Sequence, residues 1–323
     1  MNRTSPPDTS KRKKQSPKRQ SSIRPPRIFL YFDAVARYGS MRKAADTLRI
    51  ASSALNRQIL LLEEEVGVVL LERLPRGVRL TAAGELFANY VRDAISGLET
   101  VGEQIESLRG LIRGRVRLAT VESAAGDFLP RIIAQFQKLH PGVEFTLTVG
   151  APDSLAAELL NDSADLLITH NAVDHRDITV IAKTPQAFCA LVAQDHPLAS
   201  RKRLRLRDCA GYPIALADRS LAGRVLIEAT LATASVQLQP ALISNSVAAM
   251  KAYAQLGQAI CFQFAIGCKD ASSAHMVAIS LVDDALKSAE LMLAVRRERV
   301  LPIAAAAFLE TLRGAMADLT TAP

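Results

Sequence analysis

The sequence predicts a multidomain fold: an all-α winged helix-turn-helix, then one long linker helix, then an α/β domain of two lobes. Short helical patterns and a Pro/Gly turn follow one another within residues 27–80, and a continuous helical pattern fills residues 81–112. From residue 113 to 323 strands and helices alternate, which is typical of α/β units with largely parallel sheets. A stretch of that length is large for one sheet, so we expect two lobes with a cleft between them.

Composition narrows the class of protein. Hydrophobic residues make up 49% and charged residues 22%, and no apolar run approaches the ~20 residues that a membrane-spanning helix needs. The N-terminus does not read as a signal peptide, and the four cysteines show neither a CxxC pair nor zinc-finger spacing. We therefore expect a cytoplasmic chain with reduced cysteines, no membrane association, no metal and no cofactor.

Basic residues are concentrated at the front of the chain. Residues 1–80 carry 17 Lys or Arg against 7 Asp or Glu, a net charge of +10, so the whole-chain charge of +8 leaves −2 for the remainder. This asymmetry indicates a polyanionic partner for the N-terminal part. Residues 1–26 hold five Pro and a net charge of +7. They are predicted to form a disordered basic tail, which is either a solvated leader or a loose arm on phosphates.

Apolar spacing and capping residues predict the first three helices. The first runs from Arg27 to Gly39, the second follows the N-cap candidate Ser40, and the third extends from about Ser52 to Glu65. Two short helices at this separation, the second polar on its outward face, make a helix-turn-helix. The outward-facing residues are Ser52, Ser53, Asn56 and Arg57.

A hairpin and a long helix follow. Two short strands flank a Pro/Gly turn, which predicts a β-hairpin wing with Arg76 at its tip. Thr81 is then expected to cap a helix that extends to about Leu111. A narrow apolar stripe on this helix favours a partner helix, hence a dimer, with packing against its own chain as the alternative. The stripe consists of Leu86, Tyr90, Ala94, Leu98, Val101, Ile105, Leu108 and Ile112.

Motifs at fixed spacing carry a resemblance to a known family. In the helix-turn-helix they are Ser40, Ala44-Ala45-Asp46, Ser53-Ala54-Leu55-Asn56-Arg57-Gln58-Ile59 and Leu62-Glu63-Glu64. Further along they are Arg79-Leu80-Thr81-Ala82-Ala83-Gly84-Glu85, His140-Pro141-Gly142-Val143 and His196-Pro197-Leu198. Through these motifs, residues 27 to about 315 resemble the LysR-type transcriptional regulators.

The resemblance implies a winged helix-turn-helix joined by the linker helix to an effector-binding domain, residues 113–323, built like a periplasmic solute-binding protein. It implies a homodimer or homotetramer on a double-stranded DNA operator, switched by a small-molecule effector, and it makes RNA polymerase a candidate partner. One departure concerns the start of the recognition helix. Where the family often has Ser-Gln-Pro/Ser, this chain has Ala51-Ser52-Ser53, which leaves the operator sequence open.

Seven residues are candidates for DNA contact. Asn can bridge adenine and Arg can bridge guanine, while Ser hydroxyls suit bases or phosphates, so Ser52, Ser53, Asn56 and Arg57 are candidate base readers. Arg42 and Lys43 at the start of the second helix, and Arg76 on the wing, are expected to hold phosphates. An ordinary solvated helix face is the alternative interpretation.

The effector site is less determined. Clefts in α/β sheets form beyond the carboxyl ends of strands, and by resemblance four strand-to-helix junctions surround the cleft. For Ser123 and Ser246 plain N-capping is the alternative, and Glu122 would disfavour a carboxylate placed beside it. The candidate effector-binding residues are Ser123, Ala124, His170, Asn171, Arg219 and Ser246.

Other classes of protein fit parts of the chain. A catalytic α/β enzyme with a DNA-binding appendage is disfavoured, because the GxSxG, GxGxxG and P-loop patterns are absent from the sequence. A free-standing solute-binding protein fits residues 115–315 but leaves the helix-turn-helix unexplained. His170 and His175 with nearby aspartates could be imagined as a metal site, although a polar exit from a strand is the simpler account. We predict a regulator that is not an enzyme.

Overall fold

The structure is a computed structural model and describes residues 23–107, 112–170, 175–234, 236–257, 259–268 and 275–321. Most of the predicted basic tail, residues 1–22, lies outside the described residues, and residues 23–26 have no regular structure. The part of the linker helix predicted for residues 108–111 also lies outside them. None of the helices in the described ranges combines the length and apolar content that a bilayer crossing needs.

The N-terminal part contains the predicted three helices, the hairpin and the long helix. Gly39, in the left-handed region with φ +56°, ends the first helix, and the Ser40 hydroxyl accepts a hydrogen bond from the Lys43 amide to begin the second. The Thr81 hydroxyl accepts from the Gly84 amide at 3.0 Å and starts the long helix. The elements are α1 Arg27–Tyr38, α2 Met41–Leu48, α3 Ser52–Val66, β1 Leu71–Leu74, β2 Gly77–Leu80 and α4 Ala82–Ser107.

The first turns of α4 belong to the helix-turn-helix core. Phe32 of α1 is fully buried, and its ring meets Phe87 of α4 edge-on at a centroid distance of 5.1 Å. Val91, one turn further along α4, is buried in the same cluster as Leu55 and Ile59 of α3. The start of α4 therefore shares one hydrophobic core with α1 and α3.

The wing is held against two other elements. Gly77 has a φ of +122°, and a Cβ at this position would lie 2.4 Å from the Gly39 carbonyl oxygen, so only glycine fits. The next amide, that of Val78, donates to the same oxygen at 2.9 Å. On the other side, the Glu63 carboxylate at the end of α3 accepts from the Leu70 amide at 2.7 Å. These contacts fix the wing relative to α3.

The C-terminal part forms two lobes. In chain order its elements are β3 Arg113–Thr120, α5 Glu122–Ala125, α6 Phe128–Leu139, β4 Gly142–Val149, α7 Pro152–Leu160, β5 Leu166–His170, β6 Ile178–Pro185, β7 Phe188–Ala193, β8 Arg203–Leu204, β9 Pro213–Ala217, α8 Ala222–Ala234, β10 Gln239–Ser244, α9 Val247–Leu256, β11 Ile260–Phe264, β12 Met276–Leu281, β13 Glu290–Arg296 and α10 Ile303–Thr321. The first lobe has the strand order β4-β3-β5-β13-β6 and the second has β10-β9-β11-β7-β12-β8. The two-lobed α/β prediction is thus confirmed.

The two sheets are mixed, whereas the sequence pattern predicts largely parallel ones. β3 runs parallel to β4 and β5, but β13 is antiparallel to β5 and β6. In the second lobe β9 is parallel to β10 and β11, but β7 is antiparallel to β11 and β12. The chain passes between the lobes into β7 and back into β13. Each of these two strands therefore begins at the cleft, where the parallel strands of its sheet end. It runs antiparallel to those strands.

A buried carboxylate joins the first lobe to α4. Asp165, at the start of β5, is fully buried and accepts hydrogen bonds from the Arg117 amide at 2.8 Å and guanidinium at 2.7 Å. Arg299, whose side chain is 2% exposed, donates to the same carboxylate at 2.9 Å and to the Ser96 hydroxyl of α4 at 3.2 Å. Arg299 also donates to the Ala164 carbonyl at 3.0 Å, and its Nε lies 3.1 Å from the Asp162 carboxylate.

We predict that Arg299→Met lowers the free energy of unfolding of the full chain by about 3 kcal/mol. The loss is at the lower end for a broken buried ion pair, because Arg117 still faces Asp165. Urea denaturation followed by circular dichroism measures it, with the exposed Arg297→Met as the matched control. Equal midpoints for the two variants would contradict the role given to this junction.

Candidate DNA-binding surface and ligand cleft

The start of α3 presents an uncapped, polar surface. Its N-cap position is Ala51, which has no side-chain acceptor for the first amides of the helix. Ser52, Ser53 and Arg57 are exposed around this end. Free amides at a helix N-terminus attract anions, and an exposed Arg adds a positive charge and a fork of donors. This surface is suited to contact with phosphates and base edges.

Asn56 is held in place by a residue that the sequence analysis did not single out. Its side-chain oxygen accepts a hydrogen bond from the Arg73 guanidinium of β1 at 2.8 Å. The Asn56 amide nitrogen keeps its two protons for another acceptor. Arg73 thus orients Asn56 and adds a positive charge between α3 and the wing. The signal in the sequence is weak: Arg73 lies in the first strand of the predicted hairpin, two residues before the Pro75-Arg76 turn.

The three predicted phosphate contacts lie on neighbouring elements. Arg42 and Lys43 are exposed in the first turn of α2, and Arg76 is exposed in the turn between β1 and β2. Because Gly77 and Glu63 fix the wing, Arg76 is presented at a set position relative to α3. The contact of all seven residues with DNA stays a prediction.

A narrow cleft with a cavity volume of about 40 Å³ lies between the two lobes. Its walls are mainly apolar. Of its polar members, Glu122 and Ser123 follow β3 and His170 ends β5, as expected from the strand polarity, whereas Gln263 lies in β11. The lining residues include Glu122, Ser123, His170, Phe188, Met250, Phe262, Gln263 and Phe264. An apolar lining with a few convergent polar groups is typical of small-molecule sites, although the cavity in this structure is smaller than most of them.

His170 is a neutral, oriented side chain at the base of this cleft. It is 3% exposed, and its ring stacks on Phe264 at a centroid distance of 3.4 Å. Burial lowers the pKa of His170 to about 3, although a hydrogen bond with the Glu290 backbone works in the opposite direction. His170 Nε2 lies 2.7 Å from Ser123 Oγ, and Nδ1 lies 3.3 Å from the Glu290 carbonyl oxygen.

Glu122 connects the lobes across the cleft. Its carboxylate, on α5 of the first lobe, accepts from the Val247 amide at 2.8 Å and from the Ala248 amide at 2.9 Å, both at the start of α9 in the second lobe. We call these two hydrogen bonds the Glu122 clasp. Beside it, Gly267 of the second lobe lies so close that a Cβ there would be 3.3 Å from Ser123 Cβ.

The other predicted effector residues are placed differently. Ser246 caps α9, because its hydroxyl accepts from the Ala249 amide. Ala124 is fully buried in the core of the first lobe and does not line the cleft. Arg219 is exposed and pairs with Glu228 at 3.4 Å, also outside the lining. Asn171 lies outside the described residues. Which of the predicted residues bind an effector stays a prediction.

The residues considered for a metal site around His170 are engaged in other contacts. Asp165 is bound to arginines, and His170 is bound to Ser123 and the backbone. In the part of the chain that the structure describes, no group of three or more His, Cys, Asp or Glu is placed to hold a metal ion.

Models of one protein family match both parts of the chain. Residues 27–85 match "Bacterial regulatory helix-turn-helix protein, lysR family", and residues 109–317 match "LysR substrate binding domain". The second match alone covers more than half of the 323 residues. The chain therefore combines a helix-turn-helix and a wing with a two-lobed domain, and it belongs to the LysR family.

Curated relatives and solved structures agree with this family. The RuBisCO operon transcriptional regulator of Allochromatium vinosum is 36% identical over 177 residues, which cover 54% of this chain and 58% of that protein. The chain spans 58–66% of the length of the first such relatives. Full-length OxyR from Pseudomonas aeruginosa superposes with a TM-score of 0.66 at 15% identity, covering 90% of this chain and 93% of that one. CbnR complexed with its target DNA gives 0.56 at 23% identity, covering 90% and 99%.

His170 should make stability depend on pH. The unfolded chain takes up a proton near pH 6.5, whereas the folded chain does so only near pH 3, so its contribution is complete above pH 6.5 and is lost as the pH falls towards 3. We expect the wild type to lose about 2 kcal/mol more than His170→Gln between pH 6.5 and 5 in urea denaturation. His175→Gln, at an exposed histidine, is the control and should keep the wild-type slope. Equal slopes for wild type and His170→Gln would contradict the burial argument.

Proposed function

We propose that this chain is a transcriptional regulator that binds a double-stranded DNA operator and is controlled by a small-molecule effector in its cleft. The observation that carries this proposal is the exposed, uncapped start of α3 beside a basic wing. Membership of the LysR family supports it, as do the named functions of the relatives. Because those relatives are named as regulators, we further propose that the chain acts by binding and not by catalysis, in the cytoplasm.

The DNA contacts follow from the side chains that α3 exposes. Arg57 offers two parallel donors for the O6 and N7 acceptors of guanine in the major groove. Asn56, held through its oxygen by Arg73, offers its amide protons to a base or phosphate acceptor. Ser52 and Ser53 are placed beside the free helix amides. Arg42, Lys43 and Arg76 would neutralise phosphates on either side, which makes affinity fall as salt rises.

A second copy of this chain is the proposed partner of α4. Four apolar residues of the predicted stripe are exposed: Leu86 by 73%, Tyr90 by 59%, Val101 by 43% and Ile105 by 44%. The opposite face, with Ala88 and Val91, is already buried against α1. Large apolar side chains repeated along one exposed helix face are typical of an association surface. Homodimer and homotetramer both satisfy this requirement. A regulator bound at a promoter would also stand beside RNA polymerase.

The DNA proposal is tested with sequences that the wild-type chain selects from a randomised pool of duplexes. Arg57→Ala should weaken binding to the selected site by about 1–3 kcal/mol, roughly 5- to 150-fold in Kd, because a bidentate base contact is lost. Fluorescence anisotropy at fixed salt measures the change, and Arg176→Ala, which removes an exposed Arg of the C-terminal domain, is the control. Failure to enrich any sequence, or equal affinity for both variants, would overturn the assignment.

The association surface is tested with Val101→Glu combined with Ile105→Glu. Charges buried against a partner would be strongly destabilising, so we expect a folded chain that sediments as a smaller species. DNA binding should also weaken, because two half-sites must be held together. Tyr253→Glu with Leu256→Glu adds the same charge to exposed apolar residues of α9 and is the control. An unchanged sedimentation coefficient would show that the stripe is not the association surface.

A further inference from the structure

One place where the cleft could hold an anion, the N-terminus of α9, is already occupied by this chain. α9 has ten residues, and its first amides point to the cleft side of the second lobe. The Glu122 clasp takes the amides of Val247 and Ala248, and the Ser246 hydroxyl takes that of Ala249. A ligand carboxylate would have to displace Glu122 or lie beside its negative charge. Both are unfavourable.

The proton positions around His170 determine what Ser123 can offer. A backbone carbonyl oxygen only accepts, so His170 Nδ1 must carry the proton that it shares with Glu290. Neutral His170 then has a lone pair on Nε2, and the Ser123 hydroxyl donates to it at 2.7 Å. With its proton committed, Ser123 Oγ presents only lone pairs to the cleft. Each Glu122 oxygen likewise binds one amide and keeps a further lone pair.

The remaining walls suit an apolar body. Phe188, Phe262 and Phe264 converge on the cleft with Met250 and Leu221. Phe264 already stacks on His170, and Phe188 meets Phe264 edge-on at a centroid distance of 5.0 Å. These rings contact one another and form an apolar wall, against which an aromatic or aliphatic group of a ligand can pack. Polar acceptors are therefore gathered at one end of a largely apolar space.

We infer that the effector has an apolar body and a hydrogen-bond-donating head, a hydroxyl or an amine, and that it carries no carboxylate at that end. Ser123 Oγ and the Glu122 carboxylate receive its protons. Glu122 is the specificity-determining residue, because it both fills the helix N-terminus and supplies the negative charge. This inference rests on the proposed function of the cleft as the effector site.

The experiment compares three probes with the same ring and different heads: benzyl alcohol, benzylamine and benzoate. Isothermal titration calorimetry on the full chain measures their Kd values. We expect benzoate to bind the wild type at least about tenfold more weakly than the other two, because of its charge beside Glu122. Glu122→Ser frees the Val247 and Ala248 amides, so it should remove that gap. Ser123→Ala should weaken the alcohol and the amine and leave benzoate unchanged.

Two further variants serve as a control and as a substitute for Glu122→Ser. Glu310→Ser removes an exposed carboxylate on α10, outside the cleft, and should keep the wild-type preference. Glu122→Gln keeps the size of the side chain and replaces Glu122→Ser if that variant does not fold, and it should narrow the gap. Benzoate binding to the wild type as tightly as the alcohol, no probe binding to the wild type, or an unchanged gap after the Glu122 substitution would each overturn the inference.

DNA binding by the same samples separates this inference from the proposed function. If the wild type binds selected DNA and the probe preference fails, the ligand class is wrong and the regulator stands. If the probe preference holds but no DNA is bound, the regulator is wrong and the cleft chemistry stands.

Discussion

The position of α4 against the C-terminal domain depends on one buried carboxylate, that of Asp165. It orients Arg299, and Arg299 reaches the Ser96 hydroxyl of α4. The same loop after α7 receives two longer-range contacts: Arg37 of α1 donates to Ser163 at 2.7 Å, and Arg92 of α4 donates to Asn161 at 3.1 Å. Arg296 of β13 pairs with Asp93 of α4 close by. Residues 161–165 thus receive several of the polar contacts that α1 and α4 make with the first lobe. A buried ion is unfavourable unless all its partners are present, so this junction tolerates little displacement.

The same geometry links the junction to the cleft. β5 follows Asp165, which lies beside α4, and ends at His170 in the cleft, only five residues later. Its neighbour β13 begins at Glu290, which binds His170, and ends at Arg296, which binds Asp93. Two adjacent, fully hydrogen-bonded strands therefore have one end in the ligand site and the other on the long helix. Both strands are paired on both sides, so β5 and β13 form a direct physical connection between the two sites.

Local signals in the sequence were sufficient for the helices but not for every strand. The bounds of α1 and α3 and the start of α2 follow the sequence closely, because a glycine, a capping serine or a clear apolar period marks them. β6, β8 and β12 have no clear strand pattern in the sequence. Each is half-exposed or only two residues long and lacks a buried apolar run. β7 and β13 run antiparallel to their neighbours because the chain crosses between the lobes before each of them. No local sequence pattern indicates such a crossing. The same distinction applies to the ligand cleft. Ser123 and His170 are predictable because they lie at the ends of strands, whereas the Glu122 clasp joins residues 125 positions apart in the chain and has no local signal.

Neighbouring positions in the wing differ in whether they tolerate substitution. Gly77 lies so close to the Gly39 carbonyl that any side chain there would push the hairpin off the body of the domain. Its neighbour Arg76 is exposed in the same turn and packs against nothing in the domain core. Substitution at Arg76 therefore changes the chemistry of the tip without moving the hairpin that carries it. Over evolutionary time such a chain can change the charge that it presents at the tip of the hairpin by drift at one surface residue, while the scaffold beneath it stays invariant.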